Sequence, residues 1–450
     1  VEPLHTLTAT EISTRIRAGQ LSPIALTEAL LARLDALDPE VKAWVSVDRT
    51  GALDAARQRA AEAAAGQLAG PLHGVPVGIK DIFHVAGMLT TAGAGVFAHE
   101  RPSEDATSVA RLRRAGAIIL GKTKTTEFAF QDPADTCNPW NPAHTPGGSS
   151  SGSAAAVAAR MIPLALGSQT VGSTLRPAAY CGVVGLKPTH GRISCRGVIP
   201  LAWSLDHVGI FCRSVADAAL VLGVLAGHDP GDPLSAREPA ADYVGALSKA
   251  ARPPRVGLAR QFLLERASAE IAAHLEATAQ SLGRAGASVE EIKLPPSFSG
   301  IHEAGTRVMQ VEAAAFHAER FSVHAARYRP KIRALIEGAL RLSAVEYAAA
   351  QQHRWRFRAE MGPVFEHVDA LLMPVAGTPA PRGLDSTGDP WFCAPWSFAG
   401  LPAISLPSGL AQDGLPLAIQ LVSGAFDEAR LLAVARWCEA PLAFSAAPPD

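Results

Sequence analysis

Residues Thr145 to Ser173 read TPGGSSSGSAAAVAARMIPLALGSQTVGS: a glycine-serine run, an alanine-rich segment, a short apolar segment and a second Gly-Ser turn. Gly/Ser composition alone describes a flexible connector. The flanks argue otherwise. From Gly152 to about Met161 the small side chains suit a closely packed helix, and Leu164 to Gly167 read as a strand. Eleven helical residues cover about 16 Å, and six extended ones about 20 Å. The chain therefore goes out and returns, bringing Ser149 and Ser173 close in space although 24 residues separate them.

The rest of the chain alternates helical and extended patterns. Thr8 and Glu11 have capping-box spacing, and Ser22-Pro23 supplies an N-cap with proline at N1. Leu26, Leu30, Leu34 and Leu37 then repeat at helical spacing, and a further helix is predicted from about Ala52 to Gln67. Val75, Val77 and Ile79 alternate in HGVPVGIKD, a strand ending at Lys80-Asp81, followed by a helix over Ser108 to Ala115 and a strand over Ala117 to Leu120. After Pro254 come RVGLAR, a helix from about Ser268 to Ala285, a helical region from about Glu303 to Phe365, and the strands ALLMPV, AISLP and LAIQLVS. This alternation predicts an α/β sheet with helices on both faces. The Pro/Gly/Asp-rich segment Gly227 to Asp242 reads as a surface loop.

Charge excludes some functions. With 41 basic against 42 acidic residues and a net charge of -1, nothing favours nucleic acid or an anionic membrane as partner, so a small substrate is expected. The N-terminus has no signal-peptide pattern, and no run of about 18 uncharged apolar residues follows, so the expected location is the cytoplasm. Six cysteines without a CxxC pair and fourteen histidines without HExxH spacing give no metal site.

Two short motifs match for the wrong reasons. GAIILGKT (Gly116 to Thr123) fits the P-loop pattern, but Ala-Ile-Ile-Leu belongs inside a strand rather than in a loop that cradles phosphate. Gly148-Ser-Ser-Ser-Gly152 fits the G-x-S-x-G elbow with Ser150 as nucleophile. That elbow needs a strand running into it, and CNPWNPAHTP carries three prolines there.

The longer constellation is more specific. GGSSSGS (Gly147 to Ser153), TVGS (Thr170 to Ser173), RPA (Arg176 to Ala178), CGVVGLKPT (Cys181 to Thr189) and Gly191-Arg192 stand in order. PLHGVPVGIKD lies upstream, and SLDHVG, GLPAISLP and GLPLAIQLV follow. Over most of its length the chain resembles the amidase signature family, and Ser173-Thr-Leu-Arg176 is similar to the malonamidase-like branch. The resemblance implies one domain over residues 1–450, an α/β/α sandwich whose large twisted mixed β-sheet is covered by helices on both faces. Within it lie a motif core at about 70–215 and a helical substrate-pocket region at about 300–365. It further implies a cofactor-free amidohydrolase that forms an acyl-serine intermediate.

Carried over residue by residue, the resemblance makes Ser173 the nucleophile, Ser149 the bridging serine, held through a cis Gly148-Ser149 peptide, and Lys80 the base. The backbone amides of Thr170, Val171, Gly172 and Ser173 become the oxyanion hole. A lysine accepts a proton only when neutral, which at pH 7 requires burial. Val171 stands where the family usually has Gly, and a β-branched residue resists positive φ, so the loop either has negative φ there, is strained, or has an altered site. Narrowing of the acyl pocket is the expected effect.

Arg176 binds a substrate carboxylate or serves as an ion-pair partner. Phe128, Gln131 and Trp140 are expected in the substrate pocket, with the helical region and the Asp389 to Phe398 segment. Asp206 and Arg192 are expected to be scaffold. Substrates implied are amides, with carbamate (urethane) or ester selectivity as the alternative. The other alternative is a catalytically impaired scaffold subunit. Family members also include transamidase components that act on aminoacyl-tRNA, which the neutral charge disfavours here. A homodimer is left open.

Overall fold

Thr8 caps the first helix, α1 (Ala9–Arg17), in a complete capping box with Glu11, and Ser22 caps α2 (Pro23–Val41) with proline in its first turn. The computed structural model describes residues 2–97, 99–248, 252–260 and 266–449. The alanine-rich stretch forms α3 (Arg49–Ala64), and α4 (Thr107–Arg114) falls where the sequence places it.

Eleven strands among the described residues make one sheet. In chain order they are β1 (Trp44–Val47), β2 (Pro76–Lys80), β3 (Ile118–Thr123), β4 (Leu164–Gln169), β5 (Val184–Lys187), β6 (His207–Cys212), β7 (Arg255–Leu258), β8 (Ser288–Glu291), β9 (Ala370–Pro374), β10 (Ala403–Leu410) and β11 (Pro416–Val422). Across the sheet they lie β1-β3-β2-β4-β6-β5-β10-β11-β9-β7-β8. β2 runs parallel to β3 and β4, and β7 to β8 and β9, while the other pairs are antiparallel, so the sheet is mixed.

Both faces of the sheet are covered, because successive residues of one strand enter different cores. Ile119, Leu164 and Leu166 belong to a core with Ile12 and Ile16 of α1, whereas Ile118, Leu120 and Ala165 pack with Leu31 and Leu34 of α2 and Ala52 and Ala56 of α3. Every residue of β2 is buried. Val77 and Ile79 face the first core, which leaves Gly78 and Lys80 directed toward the second face, where α5 (Ser151–Ala158) lies. The pattern GAIILGKT supplies the fully buried β3, and a Cβ at Gly116 would sit 2.7 Å from His73 Cα, so no open phosphate loop exists there.

Four strands were not read from the sequence: β5 and β6 lie within stretches that were matched only as motifs, and β1 and β8 carried no strand pattern. β1 and β8 sit at opposite edges of the sheet, each only four residues long, and β8 (SVEE) is largely exposed. The helical region resolves into helices Ile301–His324, Pro330–Ala339 and Ala344–Met361, which occupy the connection between β8 and β9. Segment 227–242 contains no helix or strand.

Candidate active site

Lys80 ends β2 with its side chain fully buried. Its Nζ lies 2.8 Å from Ser149 Oγ, 3.0 Å from Ser150 Oγ and 2.8 Å from Ser168 Oγ. Burial pushes the ammonium well below the usual lysine range, opposed only by the charge of Asp206. A neutral amine has two N–H groups and one lone pair. Ser150 already donates its hydroxyl proton to the Ser168 carbonyl at 3.2 Å, so toward Lys80 it can only accept. That leaves the lone pair to Ser149 or Ser168, the two hydroxyls whose protons have no other acceptor among the described residues.

Asp81 takes no part in this cluster. Its carboxylate pairs with Lys122 Nζ at 2.8 Å, both side chains being fully buried, and accepts from Thr91. Lys122 also donates to Thr90 Oγ1 at 2.9 Å. The charge next to Lys80 in sequence is thereby neutralised by another lysine.

The Gly/Ser run is packed too closely to be a linker. Gly148-Ser149 is a cis peptide, Gly147 has φ +83, and a Cβ on Gly152 would lie 2.1 Å from the Ala43 carbonyl. The run then starts α5 at Ser151, and β4 leads back to Gln169, close to the bounds read from the sequence.

From Thr170 to Ser173 the four backbone N–H groups have no acceptor among the described residues, whereas Thr174 N and Leu175 N both donate to Gln169 Oε1, at 2.8 and 2.9 Å. The Val171 carbonyl accepts from Gln169 Nε2 at 3.2 Å and from Ser397 Oγ at 2.6 Å. The Gly172 carbonyl accepts from Arg176 N at 3.0 Å. Because C=O and N–H point opposite ways across a trans peptide, anchoring these two carbonyls turns the amides of Gly172 and Ser173 the other way. Val171 has no positive φ, so of the alternatives read from the sequence the negative-φ one holds. The family glycine is dispensable here because nothing asks this residue for the left-handed region. Gly172, in contrast, has no room for a side chain: a Cβ would meet Pro390 Cβ at 2.8 Å.

Ser173 is buried and opens onto a cavity of about 220 Å³. Larger cavities, of about 430 Å³ beside Trp203 and about 260 Å³ beneath the C-terminal segment, contain neither Ser149 nor Ser173. Among the described residues no hydrogen bond joins Ser149 Oγ to Ser173 Oγ; the structure unites Lys80 with Ser149 and leaves that second contact unmade. General acid–base contacts of this kind often tighten only once substrate is bound.

Gln131 and Arg176 line the cavity, together with Met309 and Leu335 from the helical region and Trp391 and Phe398 from the Asp389 to Phe398 segment. Phe128 and Trp140 do not. Phe128 is buried in an aromatic cluster with Phe97, His317 and Tyr328. Trp140 donates its Nε1 to the Cys181 carbonyl at 2.8 Å and packs toward Phe444. Both are apolar bodies held by structure rather than by a ligand, which segment-level reasoning could not separate.

Arg176 is almost wholly buried. Its Nη2 donates to the Gly148 carbonyl at 2.7 Å and to Thr387 Oγ1 at 3.0 Å, while Nε and Nη1 have no partner among the described residues. It makes no ion pair among the described residues, so the ion-pair expectation fails; its anchor is the carbonyl that precedes Ser149. Asp206 accepts from Thr170 Oγ1 at 2.5 Å and from the amides of Leu201 and Ala202, and burial raises it to about 7. Arg192 pairs with Glu428 at 3.2 Å, away from the cavity.

Sequence reasoning missed Ser150, Ser168, Gln169, Ser397 and His302. His302 lines the cavity stacked on Trp391 at 4.8 Å, and burial, aided by Arg266, lowers it to about 4, so it is neutral at pH 7. Gln169 and Ser168 stood inside the opening stretch, but their partners could be found only in three dimensions. No cluster of metal-ligating side chains occurs among the described residues, and no helix there is long and apolar enough to cross a membrane.

A buried amine against a serine, beside a loop of unengaged amides opening on an apolar cavity, suits acyl transfer. Comparisons agree. A glutamyl-tRNA(Gln) amidotransferase subunit from Roseiflexus castenholzii is 39% identical, covering 96% of this chain and 95% of its own length. A putative amidase, AmiD, from Mycobacterium bovis is 40% identical over 95% of this chain and 92% of its own. Native peptide amidase from Stenotrophomonas maltophilia superposes with a TM-score of 0.86 at 32% identity, over 99% of each chain. The Amidase family model matches residues 25–432, and the chain belongs to that family, the amidase signature amidohydrolases.

Proposed function

We propose that this amidohydrolase cleaves a C–N acyl bond through an acyl-Ser173 intermediate, with Lys80 as base and Ser149 as proton bridge. The Ser173 hydroxyl proton passes to Ser149 as Ser149 gives its own to the Lys80 amine, and Ser173 Oγ bonds to the substrate carbonyl carbon. The oxyanion is held by the amides of Thr170, Val171, Gly172 and Ser173. When the C–N bond breaks, the proton returns from Lys80 through Ser149 to the departing nitrogen. Water then attacks the acyl-serine, its proton goes by the same route to Lys80, and Ser173 regains a proton as the acid leaves.

The observation that carries this assignment is the fully buried Lys80 with its Nζ 2.8 Å from Ser149 Oγ. A fluorophosphonate probe tests it. We expect one adduct, on Ser173 by peptide mass spectrometry, and none in Ser173→Ala; an inert wild type would mean an impaired scaffold subunit. Linear amides are the proposed substrates, and a matched panel of amides, carbamates and esters separates them from the alternatives.

Arg176 favours a second, finer reading. Two unpartnered guanidinium nitrogens beside the cavity fit a substrate that carries a carboxylate. Those atoms are covered, and the Thr387 contact is on Nη2 rather than on either of them, so that substrate would have to displace what covers Nε and Nη1. The identity to amidotransferase subunits supports a reading in which the chain works within a complex; turnover of free amides by the isolated chain would argue against it.

Val171 lines the cavity and is proposed to narrow the acyl site. Val171→Gly should raise kcat/KM for bulky acyl groups relative to small ones by roughly tenfold, since pocket methyl groups discriminate on that scale. Steady-state kinetics on an acyl series measures it, and an unchanged ratio would refute the idea.

A further inference from the structure

We infer that Gln169 and Ser397 form a positioning pair that aims the amides of the loop receiving the oxyanion. This rests on the acyl-Ser173 assignment above. One carboxamide does two opposite things: its oxygen accepts from Thr174 N and Leu175 N, and its nitrogen donates to the Val171 carbonyl at 3.2 Å and Ser397 Oγ at 2.8 Å. Ser397 in turn donates to the same carbonyl at 2.6 Å.

The geometry explains why an amide stands here rather than an acid. A carboxylate could accept from the two amides after Ser173, but it has no hydrogen to give to Val171 O. The Val171–Gly172 peptide would lose one anchor and meet a charged acceptor. If it rotated, its carbonyl would enter the space the oxyanion needs and the Gly172 N–H would leave it. Gln169 is fully buried, and its backbone carbonyl faces His207 Nδ1 at 3.0 Å, so the residue has little freedom of its own.

Ser397 brings the cavity wall into the same network. It sits on the helix Ala394–Phe398, whose Ala394 and Phe398 line the cavity. The wall that touches substrate and the loop that holds the oxyanion thus share two hydrogen bonds, across 228 residues of chain between Gln169 and Ser397.

Three variants of the full-length protein test this: Gln169→Glu, Gln169→Leu and Ser397→Ala. With the best amide from the substrate panel, Gln169→Glu should lower kcat by about 100-fold, the scale of losing one oxyanion donor, while KM stays within about twofold, the signature of an interaction made in the transition state. Ser397→Ala, which leaves Gln169 in place, should cost about tenfold, and Gln169→Leu at least as much as Gln169→Glu. Affinity for a trifluoromethyl ketone, which forms a tetrahedral adduct with the serine, should fall in parallel with kcat, and affinity for the product acid should not.

Equal losses in kcat/KM and in affinity for both ligands, or wild-type kcat in Gln169→Glu and Ser397→Ala, would overturn the pair. Should Gln169→Glu fail to fold, Ser397→Ala decides on the same two ligands. Fluorophosphonate labelling of the wild type keeps the levels apart: an unlabelled Ser173 sinks both proposals, whereas a labelled Ser173 with indifferent variants sinks this one alone.

Discussion

Lys80→Met should fold and lose at least about four orders of magnitude in kcat, because general-base assistance and serine activation are removed together. Methionine fills a similar volume, so the buried site on β2 stays packed. The wild-type pH profile carries the companion expectation. In the proposed mechanism Lys80 works as the neutral amine, and burial lowers its affinity for a proton well below the usual lysine range. Activity therefore rises with pH through the Lys80 titration and is already high far below the pH at which an exposed lysine deprotonates. A profile of kcat/KM that climbs only near pH 10 would show a solvated base and sink the assignment.

Lys122→Met should be strongly destabilising, although Lys122 touches neither Ser149 nor Ser173. Removing the cation leaves Asp81 charged and fully buried, with Thr91 as its remaining partner. Breaking one side of a buried pair costs about 3–5 kcal/mol, and most of that is the stranded charge. Denaturant unfolding measures it. Lys122→Met with Asp81→Asn should recover much of the loss, since the uncompensated charge is then gone; a double variant as unstable as the single would mean that packing around Lys122 carries the effect.

Much of this site was readable because it is local. The out-and-back path from Ser149 to Ser173 depends only on the length of α5 and β4, and the end of β2 at Lys80 follows from Val75, Val77 and Ile79. What escaped is long-range or conformational. The sign of φ at Val171 is decided by carbonyl anchors that come partly from Ser397. Phe128 and Trp140 look like pocket residues by composition and proximity, yet the first is claimed by His317 and Tyr328 and the second by the Cys181 carbonyl. Asp81 follows Lys80 directly in sequence, and only the approach of β3 beside β2 shows that it serves Lys122 instead. β1 and β8 were missed because four residues at an edge carry too little pattern.

The two sides of the cavity have different origins in the chain. Thr170 to Ser173 continue directly from β4 in the interior of the sheet, whereas Met309 and Leu335 come from the long helical excursion between β8 and β9. A lineage of such proteins can therefore rewrite what it admits by editing that excursion, gene segment by gene segment, while the reactive half is inherited untouched.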